Sequence, residues 1–216
     1  MIFSLLFTVI CFAQKARTKS KSKPKSDYAI GISGGYFLDG KMSDFSNEGY
    51  SGFNLFQADF QIIEPEKKKG FNFIYTTKST ETKGVSLNQL ESRYTMWINY
   101  YVMSSYFKTE KGTGLYFGVF GGALYDFADQ KPLIAQPFDS YVRNIALATG
   151  PKIEYNHYIS GKVSILSGCQ ITLVEIGFQK TVREDPLIPI RAQYTNVPYF
   201  ALATRLNLNL GVSFVL

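Results

Sequence analysis

Residues 200 to 216, FALATRLNLNLGVSFVL, alternate with a period of two. One parity carries Phe200, Leu202, Thr204, Leu206, Leu208, Leu210, Val212, Phe214 and Leu216. The other carries Ala201, Ala203, Arg205, Asn207, Asn209, Gly211, Ser213 and Val215. Successive side chains of an extended strand point to opposite faces, so the pattern predicts one strand with an apolar face and a mild polar face. Its length exceeds the about five or six residues usual in soluble sheets. It suits a tilted crossing of a bilayer, which takes ~9–11 residues.

Seven more segments of similar character precede it. The first runs over 28 to 37, with Tyr28, Ile30, Ile32 and Tyr36 on one face. The second covers 51 to 63, where Phe56, Ala58, Phe60 and Ile62 oppose Gln57, Asp59 and Gln61. The third covers 70 to 77 and the fourth 91 to 104, where Tyr94, Met96, Ile98, Tyr100 and Val102 oppose Arg93, Thr95 and Asn99. The fifth, 114 to 126, is apolar on both faces and leaves its parity undecided. In the sixth, 141 to 155, Ile145, Leu147, Ile153 and Tyr155 oppose Asn144, Lys152 and Glu154. The seventh, 162 to 178, slips parity near Glu175, the mark of a bulge.

The connections alternate in length. EPEKKK at 64 to 69, KTEKG at 108 to 112 and NHYISG at 156 to 161 are short, whereas 38 to 50, 78 to 90, 127 to 140 and 179 to 197 are longer. Short turns on one rim and long loops on the other are the asymmetry of an outer-membrane barrel, with both termini on the periplasmic side. The fold expected is therefore all-β: a closed eight-stranded antiparallel up-and-down transmembrane β-barrel over 28 to 216.

Composition bears on the face that meets lipid. The 216 residues include 18 Phe, 15 Tyr and 18 Gly, which favour strands and tight turns. The polar parity is rich in Asn, Ser, Thr, Ala and Gly, whereas a soluble lipocalin-like barrel would expose a charged outer face. Tyr28, Tyr36, Tyr94, Tyr125, Tyr155, Tyr158 and Tyr199 lie near strand ends, where headgroup-level girdles form.

Two segments lie ahead of the barrel. MIFSLLFTVICFAQ is an apolar run ending in Ala13 and Gln14, read as a signal peptide over 1 to 14, although no Lys or Arg follows Met1. Residues 15 to 26, KARTKSKSKPKS, hold six of the 23 Lys and Arg and no acid, so the +6 net charge resides there and the remainder is neutral. Residues 15 to 27 are expected to form a disordered basic periplasmic tail, a solvated spacer or a contact for a periplasmic partner. The export signal and the neutral remainder disfavour nucleic acid. Without Cys11, Cys169 is the single cysteine, which excludes an internal disulfide.

The Ala13-Gln14 pattern, the Gly-aromatic strands, the GPKIEYNHYISGKVSIL hairpin and the final LNLNLGVSFVL resemble those of small outer-membrane β-barrel proteins of Bacteroidota, including the PorT-like group. The resemblance spans 28 to 216 and implies a barrel inserted by the barrel assembly machinery. Phe214 and Leu216 would stand in the C-terminal assembly signal, although an aromatic is usual where Leu216 stands. It also suggests an accessory role in a type IX-like secretion apparatus.

Candidate chemistry is sparse. Asp59, Arg93, Lys152, Glu154 and Arg205 fall on the inward parity beside Asn99, Asn207 and Asn209. An eight-stranded barrel is just wide enough for side chains, so these charges should pair into a polar plug rather than line an open pore. The one histidine, His157, falls in a predicted turn without a shielded partner, and the spacing of His and Cys suits no metal, so no catalytic, cofactor or metal residue is assigned. In the last loop Lys180, Arg183 and Arg191 could meet lipopolysaccharide phosphates. The expectation is a non-enzymatic outer-membrane protein with a structural, adhesive or scaffolding role.

Overall fold

The computed structural model describes residues 26–39, 50–83, 88–109, 113–132, 140–183, 189–190 and 193–216. The expected signal peptide and most of the expected basic tail, residues 1–25, lie outside the described residues, as does Arg191.

Eight strands follow one another: β1 (Asp27–Asp39), β2 (Tyr50–Ile63), β3 (Lys67–Lys83), β4 (Asn88–Lys108), β5 (Gly114–Pro132), β6 (Ser140–Tyr158), β7 (Val163–Arg183) and β8 (Tyr194–Val215). Each pairs antiparallel with its chain neighbour, and β1 closes the ring on β8 from Ala29 opposite Val215 to Asp39 opposite Arg205. Closure leaves no free strand edge, the condition a sheet must meet in hydrocarbon. Three tight turns share a rim with both barrel ends. Glu64 N donates to Lys67 O at 2.8 Å, Thr109 N to Thr113 O at 2.8 Å and Ile159 N to Val163 O at 2.9 Å. Beside them Leu216 N donates to Tyr28 O at 2.8 Å, pinning the last residue to the first strand.

The strands run further towards the opposite rim than the sequence pattern suggests. β3 extends to Lys83, β4 begins at Asn88, β7 reaches Arg183 and β8 starts at Tyr194. Lys180 and Arg183 therefore sit on a strand and not in the last loop. At the tight-turn rim, Lys67, Lys68 and Lys69 belong to β3 rather than to the turn, and His157 lies in β6, outward and stacked on Tyr155. The chain keeps hydrogen-bonded pairing as far as the partner strand allows, even through charged residues.

The apolar parity faces out. Ile30, Ile32, Phe56, Phe60, Phe71, Phe73, Ile98, Val119, Leu147, Phe200, Leu210 and Phe214 are exposed, while Gln57, Asp59, Asn72, Thr95, Asn99, Lys152, Glu154, Asn207 and Ser213 are buried inside the ring. For β5 the parity becomes plain: Tyr116, Phe120, Leu124, Asp126 and Ala128 point inward, Phe117, Val119 and Tyr125 outward.

The slip in β7 lies between Thr172 and Glu175, both buried although an odd number of residues apart. The register shifts there against both neighbours, between Thr149 and Lys152 of β6 and between Arg205 and Leu202 of β8. β6 approaches so closely that a Cβ at Gly150 would lie 1.9 Å from the Ile171 carbonyl oxygen. On β8, Ala203 has φ of 51°, the left-handed region. The bulge turns Thr204, which straight alternation would send outward, into the lumen beside Arg205. A β-branched residue tolerates that backbone worst. Ala203→Val should lower stability by about 1–2 kcal/mol while Ala203→Gly leaves it unchanged or slightly raised. Urea midpoints of the three proteins refolded in lipid vesicles check this.

Candidate functional site: the lumen

The inward side chains of β4 run Thr95, Trp97, Asn99, Tyr101 and Met103 from the long-connection side to the tight-turn side. They cross three zones: an ion-pair chain, an apolar layer and a second ion-pair chain.

Towards the tight turns, Lys68 of β3, Glu154 and Lys152 of β6 and Asp59 of β2 alternate in charge. Lys68 Nζ donates to Glu154 Oε1. Lys152 Nζ lies 3.4 Å from Glu154 Oε2 and 3.5 Å from Asp59 Oδ1. Gln57 Nε2 donates to Asp59 Oδ2 at 2.6 Å. With its amide turned to suit both neighbours, Asn156 donates to Glu154 Oε1 at 3.0 Å and accepts from Lys68 Nζ at 2.9 Å. All four charged side chains are at most 2% exposed. Aromatic faces complete the surroundings: Lys152 Nζ sits 3.8 Å from the Tyr101 ring centroid and Lys68 Nζ 5.6 Å from that of Tyr116.

On the other side, Arg93 of β4, Asp126 of β5, Arg205 of β8 and Glu175 of β7 form a second alternating chain. Arg93 Nε donates to Asp126 Oδ1 at 2.8 Å and Oδ2 at 3.0 Å. Thr95 Oγ1 donates to Asp126 Oδ1 at 2.9 Å and Asn144 Nδ2 to Oδ2 at 3.2 Å. Arg205 grips Glu175 as a fork, Nε to Oε2 at 3.0 Å and Nη2 to Oε1 at 3.2 Å, and reaches Asp126 Oδ2 at 3.8 Å. Thr204 Oγ1 donates to Glu175 Oε2 at 3.0 Å and Tyr199 OH to Oε1 at 2.5 Å. The bulge described above is what brings Thr204 and Arg205 to one carboxylate.

Between the chains lie Phe37, Leu55, Ile74, Trp97, Leu124 and Ala146. Phe37 meets Trp97 edge-on, ring centroids 5.8 Å apart, and the Arg205 guanidinium lies 5.4 Å from the Trp97 ring. Each chain holds two cations and two carboxylates, so its formal charge cancels. Each also ties walls that are not neighbours in the sheet: β3 and β2 to β6, and the β4–β5 pair to the β7–β8 pair. Asn72 Oδ1, Asn99 Nδ2, Gln170 Nε2 and both amide atoms of Asn207 keep hydrogen-bonding capacity beyond their partners among the described residues. Spare amide groups of this kind suit water rather than an apolar ligand.

All five charges assigned to the lumen from parity lie there, divided between the chains: Asp59, Lys152 and Glu154 in one, Arg93 and Arg205 in the other. Sequence reasoning missed Lys68, Asp126, Glu175 and Tyr199. Continuing the Asn72–Gly70 parity back through the lysine run would have found Lys68. Tyr199, read as a girdle residue, turns in to Glu175, because burial of that carboxylate leaves its oxygens in want of donors. Lys180 and Arg183 lie on β7, and Phe214 and Leu216 are exposed on the last strand's outer face and end.

No family model matches the sequence, and no curated protein matches it. Solved structures do match in shape. A major outer membrane protein from Thermus thermophilus superposes with a TM-score of 0.53 at 10% identity, covering 88% of this chain and 99% of that one. The fold is that of a small outer-membrane β-barrel. The outer membrane protein OprG from Pseudomonas aeruginosa agrees, with a TM-score of 0.53 and 10% identity, covering 92% of this chain and 99% of its own. At such identity the likeness describes architecture and carries over no residue role.

Proposed function

We propose that the chain is a non-enzymatic integral outer-membrane barrel with a structural, adhesive or scaffolding role, its interior closed by side chains. One observation carries this reading: apolar side chains face outward around the ring while the charges inside it cancel in two separate chains. A soluble ligand-binding barrel needs the opposite, a solvated outer face and an apolar interior. An ion entering the lumen would have to break a buried ion pair and then pass Phe37 and Trp97 without hydration. On this reading both termini and the basic tail are periplasmic, a signal peptide directs export, and the barrel assembly machinery inserts the chain through the segment ending in Phe214 and Leu216. Assignment to Bacteroidota and the PorT-like group, and with it the accessory role in secretion, rests on sequence resemblance alone.

The test joins three measurements on the full chain. Outer-membrane fractionation, heat-modifiable migration on SDS gels and absence of stable conductance in planar bilayers are the expected results. A protein that stays monomeric and folded in buffer without detergent defeats the membrane reading, and stable open channels defeat the closed lumen.

A further inference from the structure

On the outer face of the β6–β7 ladder the opposed pairs, taken towards the long-connection rim, are Leu147 with Ile176, Ile145 with Phe178, and Arg143 with Lys180. The first four are among the most exposed apolar residues of the barrel, at 55–70%. The apolar band thus ends abruptly on two cations set directly opposite each other. Like charges at opposed positions destabilise a strand pair. Neither cation makes an ion pair among the described residues.

Both are nonetheless held in place. The Arg143 guanidinium lies 4.8 Å from the Tyr141 ring centroid and 5.6 Å from that of Phe127, and Lys180 Nζ lies 5.3 Å from that of Tyr194. Phe127 continues the aromatic row to Tyr94, with centroids 6.4 Å apart. A row of rings at the upper limit of an apolar band marks the headgroup level of a membrane.

We propose that Arg143 and Lys180 bind the phosphate of a phosphorylated lipid, whose acyl chains lie along Ile145, Leu147, Ile176 and Phe178. The phosphate sits between the two cations and removes their repulsion, and the aromatic faces hold both cations towards it. The apolar rungs immediately below favour a lipid over a free phosphate. This inference rests on the membrane reading above and extends the lipid contact expected of Lys180 to a residue in no loop, Arg143.

The experiment uses the full chain refolded in detergent, with lipid A carrying both phosphates as the probe and retention read by native mass spectrometry. The wild-type barrel should retain the lipid. Arg143→Gln or Lys180→Gln should each weaken retention about fivefold and the pair about thirtyfold, whereas Arg143→Lys should keep most of it. Dephosphorylated lipid A should not be retained, and inorganic phosphate should not displace the intact lipid. Equal retention by wild type and the double variant overturns the site, as does retention of the dephosphorylated lipid or displacement by inorganic phosphate. Heat-modifiable migration of each variant verifies its fold. If the double variant fails to fold, Lys180→Gln alone decides the question. A wild-type protein that will not insert into bilayers defeats the membrane reading itself, an outcome distinct from a normal barrel that ignores the probe.

Discussion

Glu154→Leu should lower the stability of the folded barrel by about 3–5 kcal/mol, the cost of leaving a buried charge without its partner. Glu154 is fully buried, receives Lys68 Nζ and lies 3.4 Å from Lys152 Nζ. Its loss leaves two lysines against one carboxylate, Asp59, which only Lys152 approaches closely. The barrel can answer by neutralising a lysine or by drawing water inward, and both take free energy from the folded state. The matched control is Lys68→Met with Glu154→Leu. That double variant removes a cation and an anion together and should recover most of the loss, because an apolar pair in place of a buried ion pair is often neutral or better. Denaturant unfolding from lipid vesicles checks both. A loss below about 1 kcal/mol for the single variant, the range of an exposed pair, would mean that water already screens this chain.

Trp97→Ala acts through volume instead of charge. Trp97 is 2% exposed in the apolar layer, packed edge-on against Phe37 and close enough to Arg205 to serve as its cation–π partner. Truncating a large buried aromatic costs about 3–5 kcal/mol, since the surrounding wall, held by its strand ladders, relaxes only in part. Because both ion-pair chains remain, planar bilayers should stay silent even as stability falls. Far-UV circular dichroism is the appropriate probe, as the substitution removes the chain's single tryptophan. Stable channels in this variant would show that the apolar layer alone closes the lumen.

How the lumen came to be only half legible is clear from its members. Arg205, Asn207 and Asn209 could be placed from the alternation of the last strand, since both asparagines lie between leucines and Arg205 shares their parity. Lys68 was hidden in EPEKKK, where polar composition imitates a turn, although the strand already begins at Lys67. Asp126 lies in a strand whose Gly and aromatic residues occupy both faces, so no parity singles it out until β4 and β6 are paired with it. Glu175 sits at the parity slip itself. There the sequence marks an irregularity but not its consequence, the turning of Thr204 and Arg205 to the same carboxylate.

By itself the sequence determined that there are eight strands, their order, the rim that bears the tight turns and, for every strand but β5, the face given to the apolar residues. All of these follow from a period of two and from turn composition, which are local properties. Only the tertiary structure decided which charges meet. Lys68 and Glu154 are 86 residues apart and on strands that are not neighbours, so nothing local encodes their contact. They come together because closing the ring folds opposite walls of an eight-stranded sheet across a space just wide enough for side chains, where each buried charge must take the partner the far wall presents.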